Sequence, residues 1–299
     1  MQLTHGQILG GLIATPELSA ALADYRDTLG LQVVEEGRLP EGLAKSWDAA
    51  ACAGARYAAL QPVSGHPCVL RLVEQPLSGG YKPTTTYGWN AFELSVQDVF
   101  GWPARLAGSG FDVVGQPREI AGLPYFVAMQ MVGRGGEMVY LNEVRQDTPT
   151  SDLPRARAPV DQMFIVILGT PDRAGTVAWY RNRLRLDEGG SYTIEYTMIN
   201  TAFELQAGTQ STITMVQQGR MPIVEVDQYP VQARERPTPS GHLPAGNALV
   251  TLGVEDLESL ALPWLTPPPR RNGALYEGRL AAAVRGPAGE LLELVQIAG

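Results

Sequence analysis

The sequence has few of the residues that most often bind metals or form crosslinks. Its 299 residues include only two cysteines, Cys52 and Cys68, and three histidines, His5, His66 and His242. The two cysteines lack metal-ligand spacing, and in a reducing compartment such a pair is more often two small buried hydrophobic residues than a disulfide. The histidines all fall in terminal or loop segments. A histidine-based metal site and a disulfide framework are therefore not expected.

Clustered positive charge and long apolar runs are absent too. The net charge is −8 and the isoelectric point is near 5.0, with lysine and arginine scattered along the chain. This argues against nucleic acid and anionic membrane surfaces as partners. The first residues lack the regions of a signal peptide, and no apolar run is long enough to span a bilayer. We expect a cytoplasmic protein, monomer or homodimer, whose partner is a small-molecule substrate or ligand.

One motif occurs twice, separated by about half the chain. It consists of Thr15-Pro16-Glu17 with Tyr25-Arg26, and of Thr170-Pro171-Asp172 with Tyr180-Arg181. Such self-similarity indicates a tandem duplication. In both copies the apolar residues that follow the proline have helical spacing, and short apolar segments flank them, which predicts a helix between strands.

Each half divides again into two small units with the order strand, helix and further strands. A proline-rich stretch, 146–159, has the composition of an interdomain linker. In the third unit the last strand is predicted at Ser211–Gln217, and in the fourth a helix is predicted at Leu257–Trp264. The predicted domains are 1–146, with modules 6–75 and 88–145, and 158–299, with modules 160–219 and 246–298.

The residues that carry these patterns resemble the vicinal oxygen chelate superfamily, which includes glyoxalase I, bleomycin-resistance proteins and extradiol ring-cleaving dioxygenases. The matching segments are Asp24–Gly30, its copy Trp179–Leu184, and the turns at Gly136-Glu137 and Gly289–Leu294. The resemblance covers essentially the whole chain. It implies an α+β fold of four βαβββ modules in two tandem glyoxalase-like domains, each a pair of curved sheets around a cleft.

In that superfamily the ligands of a metal lie on the first and last strand of each module. By the resemblance, the first-strand positions fall on Gly10, Ala91, Ile165 and Leu249, and the last-strand positions on Arg71, Tyr140, Thr214 and Glu293. A divalent metal needs imidazole nitrogens or carboxylate oxygens. Only Glu293 offers one, and a single carboxylate does not hold a metal. We therefore expect no metal and no cofactor.

Three residues are candidate catalytic groups. If Glu293 lines the cleft, burial would raise its pKa and make it a general acid or base; alternatively it faces solvent at a sheet edge. The Tyr140 hydroxyl could donate to a substrate oxygen, or the residue is an ordinary strand aromatic. His242 lies in a long loop and could carry a proton at neutral pH, or it is simply solvated.

Four further residues are candidate substrate-binding groups. Arg71 lies inside an apolar strand and could hold a substrate carboxylate through two hydrogen bonds, unless it extends to solvent. Trp89, Tyr125 and Tyr276 could form the wall of a pocket for a flat apolar ligand, unless they belong to the core.

The leading functional hypothesis is a metal-independent member of the superfamily that acts on a small hydrophobic or aromatic metabolite as a lyase or isomerase. The first alternative is a non-catalytic binding protein of the bleomycin-resistance type. The second is a metal-dependent, dioxygenase-like enzyme with an atypical site built from Glu293, His242 and either Glu225 or Asp227.

Overall fold

The structure is a computed structural model that describes residues 2–120, 123–148 and 150–297. Pro149 of the predicted linker and the outermost residues of the two predicted domains lie outside this part. Fifteen strands are formed within it. They are β1 (Ile8–Thr15), β2 (Gln32–Arg38), β3 (Arg56–Gln61), β4 (Val69–Glu74), β5 (Gly88–Val96), β6 (Asp112–Ile120), β7 (Leu123–Val132), β8 (Met138–Val144), β9 (Val160–Thr170), β10 (Asp187–Glu195), β11 (Gln210–Gln218), β12 (Met221–Gln228), β13 (Gly246–Val254), β14 (Ala281–Arg285) and β15 (Leu291–Gln296).

The helices are short. They are α1 (Leu18–Ala23), continued by a π-helical turn at Asp24–Thr28, α2 (Glu41–Ser46), α3 (Trp102–Arg105), α4 (Arg173–Leu184) and α5 (Thr197–Ala202), with 3₁₀ turns at Ala50–Cys52, Val99–Gly101 and Glu258–Leu260. Acidic caps begin the two repeated helices, because the Glu17 carboxylate accepts from backbone N–H groups at the start of α1 and Asp172 does so at the start of α4. No helix in the described ranges is both long and apolar enough to cross a membrane.

The strands form two mixed sheets. The first sheet has the order β14-β15-β13-β1-β4-β3-β2, and the second has the order β10-β11-β12-β9-β5-β8-β7-β6. Within each module the first and last strands are parallel neighbours, whereas the first strands of two modules pair antiparallel at the centre of each sheet, β1 with β13 and β5 with β9. The predicted α+β fold of four repeated modules is therefore confirmed.

The partners within each sheet are not neighbours in sequence. The first sheet combines the first and fourth modules, and the second sheet combines the second and third. The division of the chain into domains 1–146 and 158–299 remains a prediction about its covalent halves, whereas each hydrogen-bonded sheet takes one module from each half.

The two sheets pack back to back at their centres. A Cβ atom built at Gly11 in β1 would approach Met163 Cε and Phe92 Cε2 to 2.7 Å, so only glycine permits this close approach of β1 to β9 and β5. Trp89 is 1% exposed and lies in the apolar core between the sheets. Each sheet therefore has one face that is buried against the other sheet. The opposite face, here called the inner face, is the one around which a cleft can form.

A hydrogen bond is repeated in the two halves. The Tyr25 hydroxyl donates to Glu137 at 3.0 Å, and the Tyr180 hydroxyl donates to Glu290 at 2.9 Å. Each tyrosine comes from the helical segment of one module, and each glutamate precedes the last strand of the next module. The motifs that revealed the duplication are thus buried contacts that join modules of different sheets.

Several predicted elements differ from those observed. The third module has an additional strand, β12, so the predicted last strand Ser211–Gln217 is in fact its penultimate one, β11. The predicted helix Leu257–Trp264 is reduced to the 3₁₀ turn at Glu258–Leu260, because the following prolines cannot continue a helix. Cys52 and Cys68 are free and buried, as expected.

Candidate functional site

The inner face of the first sheet has an ion pair at its centre. Arg71 in β4 and Glu293 in β15 approach to 3.0 Å, between Arg71 Nη1 and Glu293 Oε2, and their side chains are 0% and 2% exposed. The alternatives in which Glu293 faces solvent at a sheet edge and Arg71 extends into solvent are therefore wrong. Both residues lie on strands inside the sheet, where side chains that alternate inward are covered.

The hydrogen bonds of Glu293 are made by three further side chains. Trp47 Nε1 and the Tyr276 hydroxyl donate to Oε1 at 2.8 and 2.9 Å, and the Thr251 hydroxyl donates to Oε2 at 2.7 Å. The Tyr276 and Thr251 oxygens in turn accept from Arg71 at 2.7 and 2.6 Å. The structure thus brings together three predicted site residues, Glu293, Arg71 and Tyr276, in a network that satisfies both carboxylate oxygens.

The remaining space on this face is filled by apolar side chains. A cluster of buried residues from β1, α2, β13 and the segment before β14 covers it. At the predicted ligand position Gly10, a Cβ atom would lie 3.0 Å from Leu275, and the corresponding position in β13 is the buried Leu249. The arginine, glycine and leucine at these positions do not fit a divalent metal, because they supply no anionic or imidazole donor.

The inner face of the second sheet carries a chain of hydroxyl and carboxyl groups. The Tyr196 hydroxyl, just before α5, donates to Glu225 of β12 at 3.1 Å. Because its only proton is then engaged, the hydroxyl of Tyr140 in β8, 3.2 Å away, donates to the Tyr196 oxygen. A further hydrogen bond joins Glu225 to Asp227. Tyr140 therefore ends a relay that reaches two carboxyl groups.

Burial dominates the acid–base properties of this face. It raises the pKa of Glu225 to about 7, against the opposing effect of hydrogen bonds with Tyr196 and Asp227. Burial, followed by the nearby charge of Glu225, holds the pKa of Asp227 and that of Glu93 well above their ordinary range. A carboxyl group whose pKa is near neutrality can both accept and donate a proton at physiological pH.

Glu93 lies beside this relay. It projects from β5, the central strand next to β8, and accepts a hydrogen bond from Asn142 Nδ2 at 2.5 Å. Its exposed fraction is 4% and that of Asp227 is 1%, whereas Glu225 is partly exposed. Glu225 is thus the most exposed of the three carboxyl groups.

The mouth of this face is aromatic. Tyr125 in β7 is half-buried and is close enough to Tyr192 in β10 for burial and then that residue to raise its pKa. Arg118 in β6 donates to the Thr197 hydroxyl at 2.8 Å. The β6 edge of the sheet therefore contacts the start of α5, which follows β10 at the opposite edge, so the sheet curls around its inner face.

Two predicted site residues lie elsewhere. His242 is partly exposed in the loop before β13, where Nδ1 lies 3.1 Å from the Ser240 carbonyl oxygen, and it lines an open groove of about 760 Å³ at the ends of β5, β13 and β15. Trp89 borders the same groove but is buried, and its Nε1 donates to the Leu291 carbonyl at 2.8 Å. The roles predicted for these two residues remain predictions.

The structure reveals site residues that were missed or placed wrongly. Thr214 was assigned the last-strand position of the third module, but it bonds Arg173 and Ser191 on the other face of β11. With the additional strand β12, Glu225 occupies that position instead. Its alternation with apolar neighbours was visible in Ile223–Asp227, the same signal that singled out Glu293.

The atypical metal site is not supported by these positions. Glu293 lies on the first sheet, Glu225 and Asp227 lie on the second, and His242 lies in the groove loop. Among residues 2–120, 123–148 and 150–297, no group of three histidine, cysteine, aspartate or glutamate side chains is arranged to hold a metal ion. The residues of the proposed atypical site thus lie in separate parts of the fold.

Comparison with solved structures identifies the fold. Glyoxalase I from Zea mays superposes with a TM-score of 0.62 at 17% identity, over 97% of this chain and 92% of that chain. A candidate dioxygenase from Bacillus subtilis superposes with a TM-score of 0.60 at 12% identity, over 100% and 87% of the two chains. No protein-family model matches the sequence, and neither does any curated protein. The chain therefore has the glyoxalase-like fold that the resemblance implies, and at these identities the likeness extends to the fold alone.

Proposed function

We propose that the chain binds a small hydrophobic or aromatic metabolite on the inner face of the second sheet and moves a proton on it without a metal, as an isomerase or lyase does. The observation that carries this proposal is Glu225, the most exposed of the three carboxyl groups on this face, which has a pKa of about 7 and accepts a hydrogen bond from the tyrosine relay. The first sheet offers no comparable group, since the oxygens of Glu293 are all engaged with buried partners.

The proposed chemistry uses a carboxyl group and a tyrosine hydroxyl. Ionised Glu225 takes a proton from a carbon next to a carbonyl, and the electron pair moves to the carbonyl oxygen. Protonation of Glu225 weakens its hydrogen bond from Tyr196, and the Tyr196 hydroxyl then donates to this oxygen instead and stabilises its negative charge. Where the enolate is conjugated with a second double bond, return of the proton to the far end of that system completes an isomerisation. Where the adjacent carbon carries a leaving group, the returning electron pair forms a double bond and expels that group, which completes an elimination. The apolar walls strengthen these interactions by excluding water.

Hydrogen–deuterium exchange tests this proposal without knowledge of the natural substrate. We expect the protein to accelerate exchange at the α-carbon of members of a panel of small aromatic ketones in D₂O, followed by NMR. Glu225→Gln should lower that rate by about 10²-fold or more, because positioned acid–base catalysis contributes roughly 10²–10⁴-fold.

The matched control is Glu36→Gln, which makes the same change at an exposed position in β2. It should leave exchange unchanged. Binding of the panel without accelerated exchange by the unmodified protein would contradict the proposal and favour a non-catalytic binding protein. If the Glu225→Gln variant accelerated exchange as much as the unmodified protein does, Glu225 would have no part in the mechanism.

A further inference from the structure

The three carboxyl groups on the inner face of the second sheet have no cationic partner. Glu93, Glu225 and Asp227 make no ion pair in the part of the chain that the structure describes, and no lysine or arginine is among the causes of their pKa shifts. Arg118, at the rim, donates to Thr197 instead. A cluster of buried carboxyl groups without a counter-charge is unfavourable unless its members are protonated or a cation binds.

Two buried side-chain oxygens without a hydrogen-bond partner line one cavity on this face. Beside α5 lies a small cavity that Asp227 and Asn90 both line. Asp227 Oδ1 and Asn90 Oδ1 have no hydrogen-bond partner, although these residues are only 1% and 2% exposed. Buried polar atoms are nearly always paired, so two orphaned acceptors in one cavity favour a donor supplied by a ligand or by water.

The wall of the cavity is suited to positive charge. Tyr140, Tyr196 and Tyr229 line it together with the two acceptors, and aromatic faces attract cations. The cavity has no room for a water molecule in this conformation, and Ile199 of α5 is part of its lining. Entry of a ligand group therefore requires a movement of its lining, in which α5, a helix of six residues, takes part.

We infer that the ligand of the second inner face is a small organic cation, an amine attached to a hydrophobic or aromatic body. The inference rests on the site proposed above and names the class of molecule that it takes. The ammonium group donates to Asp227 and Glu225, and the apolar body lies toward the aromatic mouth. A carboxyl group that is protonated in the free protein releases its proton to solvent when the ammonium binds, which leaves a carboxylate beside the ligand.

Calorimetric titration with three probes of one shape tests this inference. Benzylamine, benzyl alcohol and benzoate differ in charge but share the ring. We expect benzylamine to bind about tenfold more tightly than benzyl alcohol or better, since a desolvated cation–aromatic contact of ~2 kcal/mol corresponds to at least that ratio. Benzoate should bind most weakly. Titration in two buffers of different ionisation enthalpy should reveal proton release at neutral pH.

Benzyltrimethylammonium separates the protein's titration from that of the probe, because its charge does not change with pH; it has no N–H to donate and so tests the attraction of charge alone. Its affinity should rise with pH as the carboxyl groups ionise, by at most about tenfold per pH unit for each group, with Glu225 ionising at about 7. The groups that face the probe and titrate are Glu93, Glu225 and Asp227, while Tyr140 and Tyr196 stay neutral because burial keeps their pKa values well above 10. Glu225→Gln should reduce both the preference for benzylamine and the proton release, and Glu36→Gln should change neither.

Equal or weaker binding of benzylamine relative to benzyl alcohol would overturn the inference whatever the exchange assay shows. Preference for the amine without accelerated exchange would instead contradict the proposed catalysis and leave the inference standing.

Discussion

Glu293 and Glu225 occupy corresponding positions on the last strands of two modules, and their surroundings differ in one decisive respect. Glu293 has an arginine at 3.0 Å and hydrogen bonds to both oxygens. Glu225 has a tyrosine, a second carboxyl group and no cation. The same scaffold thus holds one carboxylate as a structural element and leaves the other available, which shows that the position alone does not assign a role.

The largest effect on the free energy of unfolding is expected from a substitution on the inner face of the first sheet. Arg71→Met should destabilise the protein by about 3–5 kcal/mol, because it leaves Glu293 buried without its partner. The double variant Arg71→Met, Glu293→Leu should recover most of that loss, since an apolar pair can replace a buried ion pair. Urea unfolding measures both. A double variant as unstable as the single one would mean that the ion pair itself is required.

Stability should also depend on pH through two buried carboxyl groups, Glu137 and Glu290. Burial raises the pKa of Glu137 and that of Glu290 to about 7, whereas an unfolded chain ionises near its ordinary value of about 4.3. Stability is therefore fully present below that value and falls as pH rises toward 7, by about 3 kcal/mol for each group. Unfolding curves at pH 5 and pH 8 should show this difference, and Glu137→Gln should reduce it. A flat profile would contradict the assignment.

The smallest effects are expected when one hydrogen-bond donor is removed from the inner face of each sheet. Trp47→Phe removes a donor to Glu293 and should lower stability by about 1–3 kcal/mol, without changing benzylamine binding. Tyr196→Phe removes a donor to the partly exposed Glu225 and should change stability less, but it should slow ketone exchange by about tenfold or more. Thermal unfolding and the two ligand assays separate these outcomes. A loss of exchange in the Trp47 variant would place function on the first face.

Much of the fold could be predicted from the sequence, because the repeat depends on local patterns. The motif around Tyr25 and Tyr180 is short-range, so the helices and the duplication were visible. The pairing of the first module with the fourth was not, because strand partners far apart in sequence leave no local signal. The strand β12 was missed because its mixed polar and apolar composition follows a Gly-Arg turn that resembled a loop.

The site was only partly predictable for a related reason. Arg71, Tyr276 and Glu293 were recognised as unusual residues, but that Arg71 lies 3.0 Å from Glu293 depends on the β1–β13 pairing at the centre of the first sheet. Whether a buried carboxyl group has a cationic partner decides its chemistry, and that partner comes from another module. Glu225 could have been found by the alternation that identified Glu293, once its strand was recognised.

The exchange of modules between the two halves also bears on the origin of the chain. Each sheet joins half of one repeat to half of the other across its central antiparallel pair, β1 with β13 and β5 with β9. Two identical half-length polypeptides could build this architecture only by associating around a twofold axis, so the linker covalently fuses what an ancestral pair of subunits would have shared. Fusion frees the two inner faces to evolve independently, as no symmetry forces a substitution on one to appear on the other.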